Sequence, residues 1–559
     1  MRQANDAGTI AHVLNRIAFG PRRSDWELAD ELGAEGYVRW QLEPESITDK
    51  SVNTKLDRLP TLKMDIGELY RSYPPAQAAE RLMREDEELD EEARRRLERQ
   101  SRIPLQELAA ARMVRAVESE KQLNEVLVDF WFNHFNVFYR NRIRSLISTY
   151  EREAIRPHVL GSFRHMLGAV AHSPAMLVYL DNWQSAAEED RKVFGPSPRA
   201  RNDAVEDAIR AMPRAGGMPN PRQMGQMQQM QRQRRQQRRN RPPGLNENYA
   251  RELMELHTLG VDGGYTQNDV REVARALTGW TLTLGARNFD NTGFVFRPDW
   301  HDAEEKTILG KMLPAGRGLE DGEDVLDMLA AHPETATFIA TKLCRKFIAD
   351  RPPGDLVDTV AGVFLRTRGN LRATTAAVLL SDEFLGSEYH GSKVKSPMEF
   401  LTSAARSLDL PVNTNGQLGR NLRQLGAPLY GAASATGYPD MAEKWTSANA
   451  ILARMDVGSL LAAEAFPDGS VLSGTGRGTG SRGRTGGQQR PRRRRSRTGG
   501  GPVGTLEVRI DALLAQILPG GVGGETREKI IDWGDSQDSA PSNAEIATLI
   551  LGSPEFQRR

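Results

Sequence analysis

Apolar residues recur three and four positions apart along most of the chain, the spacing that lays one side of an α-helix against a core. Leu123, Val126, Leu127, Phe130 and Trp131 form one such stripe, and similar stripes run through 336–348, 356–365, 371–380 and 398–408. Ser24 predicts a cap for a helix over 25–32, with Gly33 as its stop. Residues 248–259 read as another helix. Strand signals are sparse: at 288–298, Phe294 and Phe296 alternate ahead of Pro298, which predicts one short hairpin. The fold class that follows is mainly α, a multi-helical compact architecture with at most a short β-hairpin.

Three stretches break the pattern. Residues 84–102 interleave acids and bases at helical spacing and read as a solvated, salt-bridged helix. Residues 191–243, rich in Gln, Arg, Met, Pro and Gly, and 473–504, mostly Gly, Ser, Thr and Arg, cannot bury enough apolar surface to offset the entropy of ordering. Both read as disordered Arg-rich insertions. They divide the chain into an N-terminal helical part (1–190), the first insertion, a central part (244–472), the second insertion and C-terminal helices (505–559). The arginine runs suit a polyanion, although no aromatics interleave with them for base stacking. A short internal echo links AVLLSDEF at 377–384 with TLILGSPEF at 548–556.

Over the 559 residues the formal charge is only +1, so net charge says little about partners. The single cysteine, Cys344, excludes an intrachain disulfide framework and any multi-cysteine metal site, and reads as a buried structural thiol. No apolar run approaches the ~20 residues needed to cross a bilayer. The first twenty residues lack the pattern of a signal peptide, so the sequence as it stands predicts a cytoplasmic location.

Particular segments carry a resemblance. HVLNRIAFGP at 12–21, FWFNHFNV at 130–137 and MLVYLDNWQS at 176–185 come first. NENYARELMELHTLGVDGGYTQNDVREVARALTGW fills 246–280, and FVFRPDWHDAEEKTILG fills 294–310. HPETATFIATKLCRKFIADRPP, KVKSPMEFL at 393–401 and a closing SPEF follow. In this order the segments resemble the bacterial family catalogued as "domain of unknown function 1800", over nearly the whole chain outside the two insertions. The resemblance implies a mostly helical protein, often exported, whose genes commonly accompany those of the "domain of unknown function 1501" family. That makes a protein of the second family an expected partner. The missing signal peptide and the arginine-rich insertions are departures.

The candidate chemistry centres on 246–280. Glu252 and Glu255, three apart, share a helix face. His257, five after Glu252, falls roughly 140° away around the axis, so the three cannot chelate one ion from a regular helix. Arg251 is placed to pair with Glu255. Gly263-Gly264 suits a tight turn, and Thr266 with Asp269 reads as a capping box. His134, Glu252, His257, His301 and Asp302 all lie in the resembling segments and all have ligand-capable side chains. As a set they would suit a divalent metal (zinc, manganese or iron), with Glu252, His257 and His301 as catalytic groups of a metal-assisted, hydrolase-like enzyme. Lys395, before Ser396-Pro397, reads as a solvated or ion-paired residue at a helix start. No Walker loop, dinucleotide fingerprint, GxSxG elbow or zinc-finger spacing is present. The alternative is a non-catalytic binding or assembly protein that works beside a partner enzyme.

Overall fold

A computed structural model describes residues 6–75, 91–139, 143–188, 191–193, 244–283, 293–414, 416–467 and 504–559. Most form helices around one continuous apolar cluster that runs from Ile10 to Phe556. The stripe at 123–131 lies on the helix Gln122–His134, with Leu123, Leu127 and Trp131 fully buried. The helices Pro333–Phe347, Gly354–Arg366, Leu371–Leu379 and Pro397–Ser407 match the other stripes. The first three pack in sequence, each against the next. Pro397–Ser407 is the central element. Every residue in it is buried, although Glu399, Thr402, Ser403, Arg406 and Ser407 are polar. A helix enclosed on all sides is normally apolar all round, so these polar side chains demand partners inside.

Helix ends depart from expectation where local signals compete. The second helix spans Arg23–Gln41, with Ser24 inside it, because Asp25 accepts from the Arg22 amide at 3.1 Å and starts it earlier. Gly33 takes φ +73° and kinks that helix without ending it. The helix expected over 248–259 is Glu247–Glu255, capped by the Asn246 side chain. The positive angles of the following turn fall on Gly260 and Gly264 rather than Gly263. Thr266 and Asp269 do form a reciprocal cap, and Asp269 also accepts from the Leu309 amide at 2.7 Å. Thr266→Ala is therefore expected to cost about 1 kcal/mol in denaturant unfolding. Asp269→Ala should cost more, since it also frees the Leu309 amide.

Two antiparallel strand pairs stand beside the helices among the described residues. Gly293–Phe296 (β2) pairs with Trp280–Thr283 (β1), Trp280 facing Phe296, so the predicted hairpin draws its partner from the upstream tryptophan segment. Lys306–Ile308 (β3) and Lys311–Leu313 (β4) form a second pair that three-residue strands gave no periodicity to foresee. Leu309 and Gly310, both at positive φ, make its turn.

The expected insertions lie outside the described residues, apart from 191–193 and 504. The charge-dense segment is helical over Glu91–Ser101, with Arg95–Glu91 and Arg102–Glu98 pairs; 84–90 lie outside. The internal echo is structural. Ser381 and Ser553 each cap a short helix by accepting from the amides of Phe384 and Phe556, and both phenylalanines are buried. Among the described residues no helix is long and apolar enough to cross a membrane.

Candidate active site

The five residues expected to share a metal fall in three places. His134 and His257 are neighbours, with ring centroids 6.3 Å apart and His134 Nε2 3.1 Å from the His257 carbonyl oxygen. Burial drives both pKa values down, that of His257 to about 3. Both are neutral packing rings against Phe135. Glu252 is half-buried; burial first and Glu255 second raise its pKa. Arg251 donates to Gln267 at 2.6 Å and not to Glu255 as expected, while Tyr265 donates to Glu255 at 3.3 Å. His301 and Asp302 belong to a third, buried network. Asp302 takes two bonds from Arg275, and His301 lies between the Thr278 carbonyl and Asp321, which also accepts from Lys306. Among the described residues, no three His, Cys, Asp or Glu side chains converge as metal ligands. Among the described residues, then, the five expected residues are not gathered as one ligand set: His134 lies beside His257, and Asp302 is paired with Arg275.

A different set of polar groups meets in a cleft of about 630 Å³, within the ordinary range for a small-molecule site. One wall is the first helix, Ala7–Ile17, which contributes His12 and Asn15. The other is built where the segment before the central helix pairs with the last residues of the chain. Val394 bridges Arg558 antiparallel, and the Lys395 amide donates to the Gln557 carbonyl at 2.9 Å. This pairing carries Lys395 into the interior, against the expectation of a solvated or ion-paired lysine. Its Nζ donates to Ser403 Oγ at 2.8 Å and sits 3.9 Å from the Phe556 ring centroid. Lys395 is 2% exposed and Ser403 1% exposed, and both line the cleft. Among the described residues no carboxylate is ion-paired with Lys395.

The resembling segment at 12–21 holds this corner together. Gly20 has φ +93°, and a Cβ there would come within 2.4 Å of Ser403 Oγ. Arg406 donates to the Gly20 carbonyl at 2.8 Å and pairs with Asp25, which pins the loop against the central helix. Arg16 ties the first helix to the carbonyls of Phe347 and Tyr389. Gly20→Ala is expected to displace Ser403 without removing any reactive atom. It should depress cleft chemistry while circular dichroism reports unchanged helix content.

Electrostatics at this corner favour neutral bases. Burial, opposed by Glu399 and reinforced by Arg559 and Arg454, brings the Lys395 pKa down to about 7. His12 stacks on His390 with centroids 4.4 Å apart, and the Phe384 ring lies 5.1 Å away. Burial first, then Arg16 and His390, drive the His12 pKa well below its usual value, with a weak opposing pull from the Phe384 backbone. Neither of its ring nitrogens makes a well-formed hydrogen bond among the described residues. By contrast Cys344, whose pKa burial raises to about 12, is inert packing.

A protein family described as "Protein of unknown function (DUF1800)" matches residues 12–558. The chain belongs to the DUF1800 family. No curated protein and no solved structure matches it. Most of the cleft lining falls inside the DUF1800 span, His12 being its first matched residue and Arg558 its last, while Gly8, Ala11 and Arg559 lie just outside it. Sequence reasoning weighed Lys395 and set it aside, and it passed over His12 and Ser403. The available signal was the polar content of a central stripe: Ser403 lies seven after the cap Ser396, on the same helix face.

Proposed function

We propose that this DUF1800 chain is a hydrolase-like enzyme that cleaves an acyl bond, with Ser403 as nucleophile and Lys395 as its base. The 2.8 Å contact between Lys395 Nζ and Ser403 Oγ at the cleft carries this reading. A serine hydroxyl is a weak nucleophile until an adjacent base takes its proton. A lysine whose pKa lies near 7 is about half neutral at neutral pH, and a neutral amine accepts from the hydroxyl that it otherwise donates to. Ser403 Oγ then attacks the acyl carbon as its proton passes to Lys395. Lys395 returns that proton to the leaving group as the acyl bond breaks. Water, deprotonated by the same amine, releases the acyl group and restores the hydroxyl. The metal expected from sequence takes no part in this scheme.

Stoichiometric release of nitrophenolate from 4-nitrophenyl acetate, with an acetyl mass gain mapped to Ser403, is the expected result. Ser403→Ala should show neither. An equal burst from Ser403→Ala removes the assignment. The rate should rise with pH through about 7, as Lys395 loses its proton, and level off above it.

A second reading, a binding or assembly role beside a protein of the "domain of unknown function 1501" family, draws its support from the arginine runs of the insertions. Deleting 473–504 would then weaken retention on heparin and flatten its salt dependence. Unchanged elution would count against polyanion contact.

A further inference from the structure

Behind the Lys395–Ser403 pair, positive charge outweighs negative. Arg16, Lys346, Lys393, Lys395, Arg454 and Arg559 all act on Glu399, and the other carboxylate among them is Asp350, paired with Lys393. Lys346 and Arg559 reach Glu399 directly, at 2.7 and 3.0 Å. The remaining arginines bond neutral acceptors. Arg16 bonds the Phe347 and Tyr389 carbonyls and the Ser392 hydroxyl. Arg454 bonds the Gln557 amide oxygen and the Lys395 carbonyl. These acceptors use up N–H groups without cancelling charge, and counting Glu555, which lines the same cleft, and an α-carboxylate on Arg559 still leaves cations in excess.

Buried charge without a counter-charge is costly, and here the cost shows in the titrating members. Burial and then Arg559 lower the Lys393 pKa to about 8. A second observation points the same way. The Nε atoms of Arg16 and Arg559 are buried without a hydrogen-bond partner among the described residues. Arg559, 5% exposed, lines the cleft beside Lys395 and the exposed Arg558.

We infer that the cleft binds an oxyanion, a carboxylate or phosphate carried by its substrate, on Arg559 and Arg558 beside Ser403. This rests on the proposed hydrolase reading for the word substrate, but the anion site stands on its own charges. The Arg559 Nε–H and the exposed Arg558 guanidinium together offer two points of charge-assisted recognition for either group. The anion restores the missing counter-charge and holds the neighbouring acyl bond at the serine. Neutral esters therefore fit the chemistry without fitting the charge.

Calorimetric titration of the full chain carrying Ser403→Ala, at constant ionic strength, separates binding from catalysis. Saturable one-to-one binding of inorganic phosphate, of acetate, or of both is expected, and the tighter of the two identifies the anion. Arg558→Ala, at an exposed position, should weaken it on the order of tenfold, the value of one charged hydrogen bond. Arg559→Gln should weaken it at least as much. In the unmodified chain, 4-nitrophenyl hydrogen succinate should exceed 4-nitrophenyl butyrate in kcat/KM, and Arg558→Ala should erase the difference. Absence of saturable binding for both anions, or binding untouched by Arg558→Ala, overturns the anion site. Anion binding without any Ser403-dependent burst leaves the site in place and overturns the hydrolase reading alone.

Discussion

Lys395→Met is expected to lower the 4-nitrophenyl acetate burst rate by roughly 10²–10⁴-fold, the ordinary worth of a positioned general base. Methionine keeps the reach of the side chain and its contact with the Phe556 ring, while removing the amine that faces Ser403 Oγ. The folded protein should not suffer. In the fold the Lys395 pKa lies near 7, against an ordinary value of 10.5, so the charged form is penalised. That penalty is fully present below about pH 7 and fades as pH climbs towards 10.5, where the unfolded chain also loses the proton. Lys395→Met should therefore be at least as resistant to urea as the parent at pH 6, with the gain shrinking towards pH 10. A structural lysine would behave in the opposite way, losing stability with the amine and leaving the pH profile of the residual rate unmoved. Unchanged burst kinetics in a well-folded Lys395→Met chain would remove the base from the mechanism.

The largest stability loss is expected at Glu399. Burial alone would raise the pKa of its carboxylate. Arg559 and Lys346 overrule that effect, and the Ser396 amide adds to them at 2.8 Å, holding the group well below the ordinary carboxylate range. Replacing it with alanine leaves two buried cations without their shared counter-charge, a change that typically costs about 3–5 kcal/mol. It also removes half of the reciprocal cap with Ser396 that starts the central helix. The group's folded pKa is depressed, so its stabilisation is present above about pH 4.5 and drains away as acid titrates the carboxylate. Urea midpoints measured from pH 7 to pH 3 should fall for the parent chain. Glu399→Gln should start lower and show a shallower acid slope. Parallel curves for the two would show that Glu399 is not the acid-sensitive tie.

The helical class was legible because the stripes at 336–348, 356–365, 371–380 and 398–408 each have one buried side, and burial writes a 3.6-residue period into sequence. Ends were less legible. Asp25 outcompeted Ser24 through one amide bond, and the helix predicted to reach Leu259 stopped at Glu255, which removed His257 from its expected face. The β3–β4 pair is too short to carry a period of two. The candidate site was the least legible feature. His301 and Asp302 look like ligands as letters, yet Arg275 and Asp321 answer them across 27 and 20 positions. Lys395 and Ser403 are only eight apart, and the obstacle there was burial. Nothing local in KVKSPMEF says that residues 557–559 will pair with it and turn the lysine inward.

That pairing has a bearing on what the lysine depends on. The Lys393 amide and carbonyl are answered by Arg559 and the Lys395 amide by Gln557, so the buried seat of the lysine depends on residues remote from it in sequence. On the proposed mechanism, a chain cut before Phe556 is expected to lose the Ser403-dependent burst, because the partners that hold Lys395 inside are gone.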